Sequence, residues 1–174
     1  SEADFALYQL IEKCPKPVVA AVCGYALGGG LDLVLLADYV IASDDAVFSY
    51  PEVALGLVPA FGLVRLPSLV GLARARDLVL TGRRFSAAEA LAMGLVNEVV
   101  PLDHVLEASI AMAKKLSDNA PLAWSRAKQI LVRSACNEPI REAIDAIADL
   151  FETQDVREGV EAMAQKRQPQ FQGR

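Results

Sequence analysis

The feature that most constrains the fold is a run of three consecutive glycines, at positions 28–30, between two apolar segments. Residues 17–23 have the pattern of a short buried strand that Gly24 closes. Residues 31–37 are apolar apart from Asp32 and indicate a buried helix. Because glycine lets the backbone approach a neighbour closely or adopt a positive φ, a tight strand–turn–helix unit is predicted here.

Similar β-rich runs alternate with helical segments up to about residue 102. Residues 40–42 and 46–48 are two strand patterns separated by a turn at 43–45, and residues 98–100 are another. Ser86 and Glu89 have the spacing of a capping box, and Gly94 is placed to end that helix. This alternation favours the α/β fold class.

Beyond residue 102 the sequence has only helical patterns. Asp103 is placed to cap the first of these helices. In the last helix, Val156, Val160 and Met163 make one apolar stripe. The predicted helices cover residues 103–117, 121–135, 139–151 and 155–166.

Composition excludes several classes of function. The chain has 174 residues and a net charge of −5, which suits one ordinary domain and argues against nucleic-acid binding. No uninterrupted apolar run reaches the ~18 residues of a membrane-spanning helix, and the first residues do not resemble a signal peptide. Three cysteines without metal-type spacing favour a reduced setting, and we expect a cytoplasmic protein without a metal site.

Two carboxylates and the glycine run carry the candidate chemistry. A helix that opens on bare glycines presents free N–H groups, which suit a developing oxyanion, although the glycines also fit simple close packing. Asp32 is either a first-turn acid that complements the helix dipole or a partnered carboxylate with a role. Glu52 is either a solvated loop acid or a residue that shares acid–base work with Asp32.

Several ordered motifs extend these observations to a family. They comprise residues 19–39 around the glycine run, residues 48–59 around Pro51 and Glu52, and residues 80–97. Further matches follow at residues 157–159, at 166–167 and at Phe171. Together they resemble the signature of the crotonase superfamily, the enoyl-CoA hydratases and isomerases, over essentially the whole chain.

The resemblance implies an α/β fold with a crotonase-like spiral β/α core and a C-terminal helical trimerisation region. Residues 1–102 correspond to the core with the active-site motifs, and residues 103–174 to the helical, CoA-contacting region. It further implies homo-trimers, or hexamers built as pairs of trimers. The substrates would be acyl-CoA thioesters, with coenzyme A present only as part of the substrate and no permanently bound cofactor.

The resemblance also assigns roles to single residues. Gly29 matches one of two N–H groups that bind the thioester oxygen, and Glu52 matches the general acid–base glutamate. Asp32 occupies the position where hydratases usually have a second glutamate. Lys166 matches a lysine that approaches the CoA phosphates, and Gly28 belongs with it among the CoA-binding positions.

The sequence departs from the family pattern at four places. The family usually has an upstream segment that supplies the other oxyanion N–H, and this sequence begins after it. Asp32 is one methylene shorter than glutamate, which changes how it can position water. Residues 59–65 replace a glycine-rich loop, so Phe61 and Leu63 are expected to reshape the acyl pocket. Met163 replaces an aromatic that often helps to hold CoA, and Cys23 replaces a common asparagine.

Three functions are compatible with these residues. The first is an enoyl-CoA hydratase that adds water to a 2-enoyl thioester through an enolate. The second is a Δ3,Δ2-enoyl-CoA isomerase in which Glu52 alone moves the proton. The third is a non-catalytic, truncated family member that acts as an oligomeric scaffold. Thioester hydrolysis and decarboxylation, which also occur in the family, are minor alternatives.

Overall fold

A computed structural model describes residues 2–119, 121–135, 148 and 150–172. Six strands are present among them: β1 (Val19–Val22), β2 (Tyr25–Leu27), β3 (Tyr39–Ser43), β4 (Val47–Ser49), β5 (Phe85–Ser86) and β6 (Glu98–Val100). The helices are α1 (Glu2–Lys13), α2 (Gly29–Leu36), α3 (Ala60–Val70), α4 (Leu72–Thr81), α5 (Ala87–Ala92), α6 (Val105–Ser117), α7 (Pro121–Ala135) and α8 (Gln154–Gln165). Two 3₁₀ helices cover Pro51–Leu55 and Leu102–His104.

The six described strands form two three-stranded sheets. The first sheet has the order β1-β3-β6 with all strands parallel, and Val19 lies opposite Tyr39. The second has the order β2-β4-β5, with β2 parallel and β5 antiparallel to β4. Since β1 and β2 enter different sheets, as do β3 and β4, the chain winds as a spiral of strand–strand–helix turns. The predicted α/β class is confirmed.

The predicted strands are confirmed at β1, β3, β4 and β6. The turn between β3 and β4 is also present, because the Ala46 N–H donates to the Ser43 carbonyl at 3.0 Å. Strands β2 and β5 were not predicted. They have three and two residues, which is too short for a periodic pattern to identify them.

Helix α2 is the predicted buried helix and begins within the glycine run. Leu31 and the other apolar residues of its inner faces are buried, whereas Leu33 is 42% exposed. The interior side chains pack with those of β3 and β4 into one hydrophobic core. This burial fixes the position of the helix start, where the glycines lie.

The capping box at the start of α5 is confirmed in one half. The Ser86 side chain accepts the Glu89 N–H at 3.2 Å. The Glu89 carboxylate does not accept the Ser86 N–H, as a full capping box requires. It accepts instead from the Arg83 guanidinium, at 2.5 Å from Nη2 and 3.1 Å from Nη1. Gly94 follows the helix with φ of +78°, as expected for a helix-stopping glycine.

The expected cap at Asp103 is wrong. Asp103 lies inside the 3₁₀ helix Leu102–His104, and α6 starts only at Val105 without a side-chain cap bond at His104. The 3₁₀ helix runs directly into α6. His104, the residue before α6, is therefore helical and not extended, whereas a capping residue is typically extended. The predicted end at Ser117 and both ends of α7 are confirmed.

The apolar stripe predicted for α8 is wrong at two of its three residues. Val156 is buried, but Val160 is 47% and Met163 59% exposed. The inner face instead contains Gly159 and Ala162, because a Cβ on Gly159 would lie 2.6 Å from the Leu55 carbonyl oxygen. A small residue thus allows α8 to pack directly on the 3₁₀ helix Pro51–Leu55. The helix predicted for residues 139–151 lies mostly outside the described residues.

The outer faces of the helices after residue 102 have exposed leucines. Leu106 is 67%, Leu122 82% and Leu131 68% exposed. Apolar faces of this kind are typical of contacts between protein chains. No helix in the described part of the chain is long and apolar enough to cross a membrane.

Lys128 joins α7 to the start of the first sheet. Its side chain is only 7% exposed, and its ammonium donates to Asp38 at 2.6 Å and to the Lys16 carbonyl at 3.2 Å. Asp38 also accepts the Val18 N–H at 2.7 Å. One carboxylate therefore connects the strand entry and a helix that is 90 residues away in sequence.

We expect Lys128→Met to lower the free energy of unfolding by about 2 kcal/mol, because Asp38 loses its counter-ion while it stays partly buried. Chemical denaturation measures the effect, and Lys115→Met, on an exposed lysine of α6, is the matched control. Equal stability of the two variants would contradict a stabilising role for this ion pair.

Candidate active site

The glycine turn at the start of α2 is held by the end of β4. The Gly28 N–H donates to the Ser49 carbonyl at 2.9 Å, and the Asp32 N–H donates to the Gly28 carbonyl at 3.0 Å. Gly28 has φ of 53° and ψ of −121°, a conformation that side chains rarely allow. The N–H groups of the first helical turn, starting with Gly29, have no earlier carbonyl in the helix to bind and suit a developing negative charge.

Glu52 lies directly over this turn. It belongs to the 3₁₀ helix Pro51–Leu55, which ends at Gly56 with φ of 75°. A Cβ built on Gly28 would lie 2.6 Å from Oε1 of Glu52 and 3.4 Å from its Cδ. The interpretation of Glu52 as a solvated loop acid is therefore wrong, and Gly28 must be glycine partly to make room for the carboxylate.

The Glu52 carboxylate is held in a form suited to proton transfer near neutral pH. Burial raises its pKa to about 7, the bond from its own backbone N–H opposes this rise, and the charge of Asp32 adds to it. Its Oε2 atom is buried and accepts no hydrogen bond from the described part of the chain. A buried oxygen without a donor is rare in proteins, and together with the raised pKa beside the glycine turn it makes Glu52 a candidate for proton transfer.

Asp32 is a partnered carboxylate rather than a simple complement to the helix dipole. It is 6% exposed, and each of its oxygens accepts a tyrosine hydroxyl: Tyr50 at 2.8 Å on Oδ1 and Tyr8 at 3.1 Å on Oδ2. Burial raises the pKa of Asp32, while the two tyrosines and the Gly62 backbone act in the opposite direction. The two carboxylates and the glycine turn thus form one cluster.

The segment at residues 59–65 supports this cluster instead of forming a loop. It starts α3, where Phe61 is buried with its ring 5.0 Å from that of Tyr8, and Leu63 is 38% exposed. A Cβ on Gly62 would lie 2.5 Å from Cζ of Tyr50. Glycine at this position therefore leaves room for the Tyr50 ring. The Phe61 ring contacts Tyr8 and also the Arg65 guanidinium, whose Cζ lies 5.7 Å from the ring centroid.

The two tyrosines were not predicted from the sequence. Tyr50 is fully buried, and burial followed by the charge of Asp32 raises its pKa well above the ordinary value. The available signal was its position after a buried strand and immediately before Pro51 and Glu52. Tyr8 has no comparable signal, since it approaches Asp32 from a helix 24 residues earlier.

Lys166 lies at the end of α8, away from this cluster of contacts. It has φ of 55° and an exposed side chain, and in the described part of the chain no hydrogen bond or ion pair joins it to the glycine turn. Its helix does pack on the 3₁₀ helix of Glu52, through Gly159 and Leu55. A contact of Lys166 with CoA stays a prediction. The described residues also contain no group of three His, Cys, Asp or Glu that could hold a metal ion.

Comparison with known proteins agrees with this architecture. The carnitinyl-CoA dehydratase of Salmonella typhimurium is 40% identical over 91% of this chain and 64% of its own length. A carnitinyl-CoA hydratase structure from Mycobacterium avium matches with 38% identity and a TM-score of 0.85, over 92% of this chain and 64% of that one. An enoyl-CoA hydratase from Mycobacterium avium subsp. paratuberculosis K-10 matches with 32% identity and a TM-score of 0.87, over 95% and 69%.

The chain thus spans less than two thirds of the length of the dehydratase that it matches. The family model for enoyl-CoA hydratase/isomerase covers residues 1–174, the whole chain. Together with the spiral of strands and the carboxylates at the glycine turn, this match shows that the chain belongs to the enoyl-CoA hydratase/isomerase family.

Proposed function

We propose that the protein is an enoyl-CoA hydratase that adds water reversibly to 2-enoyl-CoA thioesters. The observation that carries the proposal is the buried Oε2 of Glu52, which lacks a donor among the described residues and lies beside the glycine turn. An acid–base group and an oxyanion site are thereby adjacent, as proton transfer next to a thioester carbonyl requires.

In this mechanism the Gly29 N–H binds the thioester oxygen. The Glu52 carboxylate takes a proton from water while the water oxygen bonds to C3. The π electrons of the C2–C3 bond move toward C1 and give an enolate, whose charge the helix start stabilises. Glu52 then returns the proton to C2, so that H and OH are added in total and Glu52 ends as the carboxylate.

A Δ3,Δ2-enoyl-CoA isomerase is the second candidate, and the state of Asp32 favours it. Both Asp32 oxygens already accept tyrosine hydroxyls, so that of the two carboxylates at the glycine turn Glu52 is the one with an oxygen that lacks a donor among the described residues. An isomerase needs only one base, which removes a proton from C2 and returns it to C4.

The relatives support an acyl-CoA substrate. Two of them are a carnitinyl-CoA dehydratase and a carnitinyl-CoA hydratase, so we include carnitinyl-CoA among the substrates to be tested, alongside simple 2-enoyl and 3-hydroxyacyl thioesters. We assign the CoA portion to Lys166 and Gly28, with coenzyme A entering and leaving as part of the substrate and no resident cofactor.

We also propose a homo-trimer, or a hexamer of two trimers, formed through residues 103–174. The exposed leucines on the outer faces of α6 and α7 support this assembly. The same proposal divides the chain into a β/α core at residues 1–102 and a helical oligomerisation region at residues 103–174. A cytoplasmic location fits the free thiols of Cys14 and Cys23.

The test measures hydration of 2-butenoyl-CoA and isomerisation of a 3-enoyl-CoA by the wild type and by Asp32→Asn. A hydratase is expected to lose about 10²-fold in hydration through this single substitution, whereas a single-base isomerase loses less than about tenfold. Absence of both reactions, with no binding of CoA thioesters, would contradict the proposal and favour the scaffold.

A further inference from the structure

The two tyrosines on Asp32 differ in what else they face. Tyr50 is 0% exposed and is enclosed by Gly62, so its hydroxyl serves only the interior. Tyr8 is half-buried and comes from α1, which contacts α2. Its ring is held by Phe61, with 5.0 Å between the ring centroids. Tyr8 is therefore the one of the pair with access to a bound molecule.

The Tyr8 hydroxyl also lies beside the oxyanion position. A Cβ built on Gly29 would be 3.6 Å from the Tyr8 oxygen, an ordinary van der Waals distance. Asp32, in contrast, is 6% exposed and is covered by the two hydroxyls that it accepts. A substrate whose thioester oxygen lies at Gly29 meets the Tyr8 hydroxyl before it meets the Asp32 carboxylate.

We propose that Tyr8 is a catalytic residue that orients the water added at C3, and that Asp32 is a positioning residue that acts through it. This inference rests on the proposed hydratase function. The Tyr8 O–H donates to Asp32 throughout, while the Tyr8 oxygen accepts a hydrogen bond from the water. The water proton goes to Glu52 and then to C2, so neither Tyr8 nor Asp32 gains or loses a proton. The Tyr8 hydroxyl also extends beyond the Asp32 carboxylate, which is one methylene shorter than the glutamate that hydratases usually have at this position.

The experiment compares Tyr8→Phe, Tyr50→Phe and the control Tyr25→Phe, a tyrosine that is 67% exposed on β2. Tyr8→Phe keeps the ring against Phe61 and is expected to lower kcat for hydration of 2-butenoyl-CoA by about 10- to 100-fold. Its KM is expected to stay at the Tyr25→Phe value, and its melting temperature is expected to fall less than that of Tyr50→Phe, because water can replace the lost donor at the half-buried Tyr8 position. Tyr50→Phe removes a fully buried hydrogen bond and is expected to lower the melting temperature, with a smaller loss of kcat.

Each other outcome overturns the proposal in a different way. If Tyr8→Phe keeps kcat within about threefold of the wild type, the hydroxyl does not orient water although the hydratase function stands. If Tyr8→Phe and Tyr50→Phe lose kcat equally, Tyr8 only holds Asp32 in place. If the wild type itself does not hydrate the thioester, the proposed function fails and takes the role of Tyr8 with it.

Discussion

Glu52→Gln is expected to lower kcat for hydration by about 10²- to 10⁴-fold with little change in KM. Glutamine has nearly the same shape and fits beside Gly28, but it cannot take a proton from water or return one to C2. Steady-state kinetics with 2-butenoyl-CoA measures the loss. The wild-type kcat/KM is expected to rise with pH and to level above the Glu52 pKa of about 7, because the carboxylate is the form that starts the reaction.

The same substitution should stabilise the protein at alkaline pH. The Glu52 pKa is raised from 4.5 to about 7 by burial, so the folded state holds a proton that the unfolded state releases as pH rises through this window. The wild type therefore loses stability as the pH rises from 4.5 to about 7, and the loss remains at higher pH. Glu52→Gln has no such group. At about pH 8 its free energy of unfolding should exceed that of the wild type by about 1–2 kcal/mol, a value reduced for the partial exposure of the carboxyl.

These opposite effects make the prediction specific. Glu107→Gln, on a glutamate of α6 whose side chain is 85% exposed, is the matched control and should keep the wild-type activity. If Glu52→Gln loses activity together with stability at alkaline pH, the lost activity reflects damage to the fold. Retention of activity within about tenfold would remove Glu52 from the chemistry altogether.

The parts of the fold that the sequence predicted are those with local causes. A strand such as β1 and the buried helix α2 have periodic apolar patterns within single segments, and the bond between Ser86 and Glu89 spans three residues. The stripe of α8 failed for a related reason. Hydropathy identifies large apolar residues, whereas packing on Leu55 required the smallest residue, Gly159, on the inner face.

The glycine turn and Glu52 could be recognised as candidates because both belong to motifs of the family. Their proximity in space could not be derived from their spacing in the sequence. The raised pKa of Glu52 could not be derived either, because it depends on burial by several elements. The bonds from Tyr8 and Tyr50 to Asp32 span 24 and 18 residues and join three different elements. Such contacts arise only when the spiral brings α1 and the end of β4 to the start of α2.

The second large effect is expected for Gly28→Ala. The added methyl group would lie 2.6 Å from Oε1 of Glu52, closer than real contacts allow, so the carboxylate must move away from the glycine turn. A displacement near 1 Å at a reacting group costs about 10²-fold in rate, and kcat/KM for hydration should fall by about this factor. The backbone at φ of 53° and ψ of −121° adds strain of about 1–3 kcal/mol, which thermal unfolding measures.

Gly30→Ala is the matched control, because it adds the same methyl group two residues further on, where nothing lies within 4 Å. Its φ is outside the positive range, so the backbone is not strained there. The pH profile gives a second readout: a Glu52 carboxylate moved toward solvent should have a lower pKa, and the residual activity of Gly28→Ala should level at a lower pH than that of the wild type. If Gly28→Ala matches Gly30→Ala in rate and pH profile, the close approach of Glu52 to the glycine turn is not what makes it reactive.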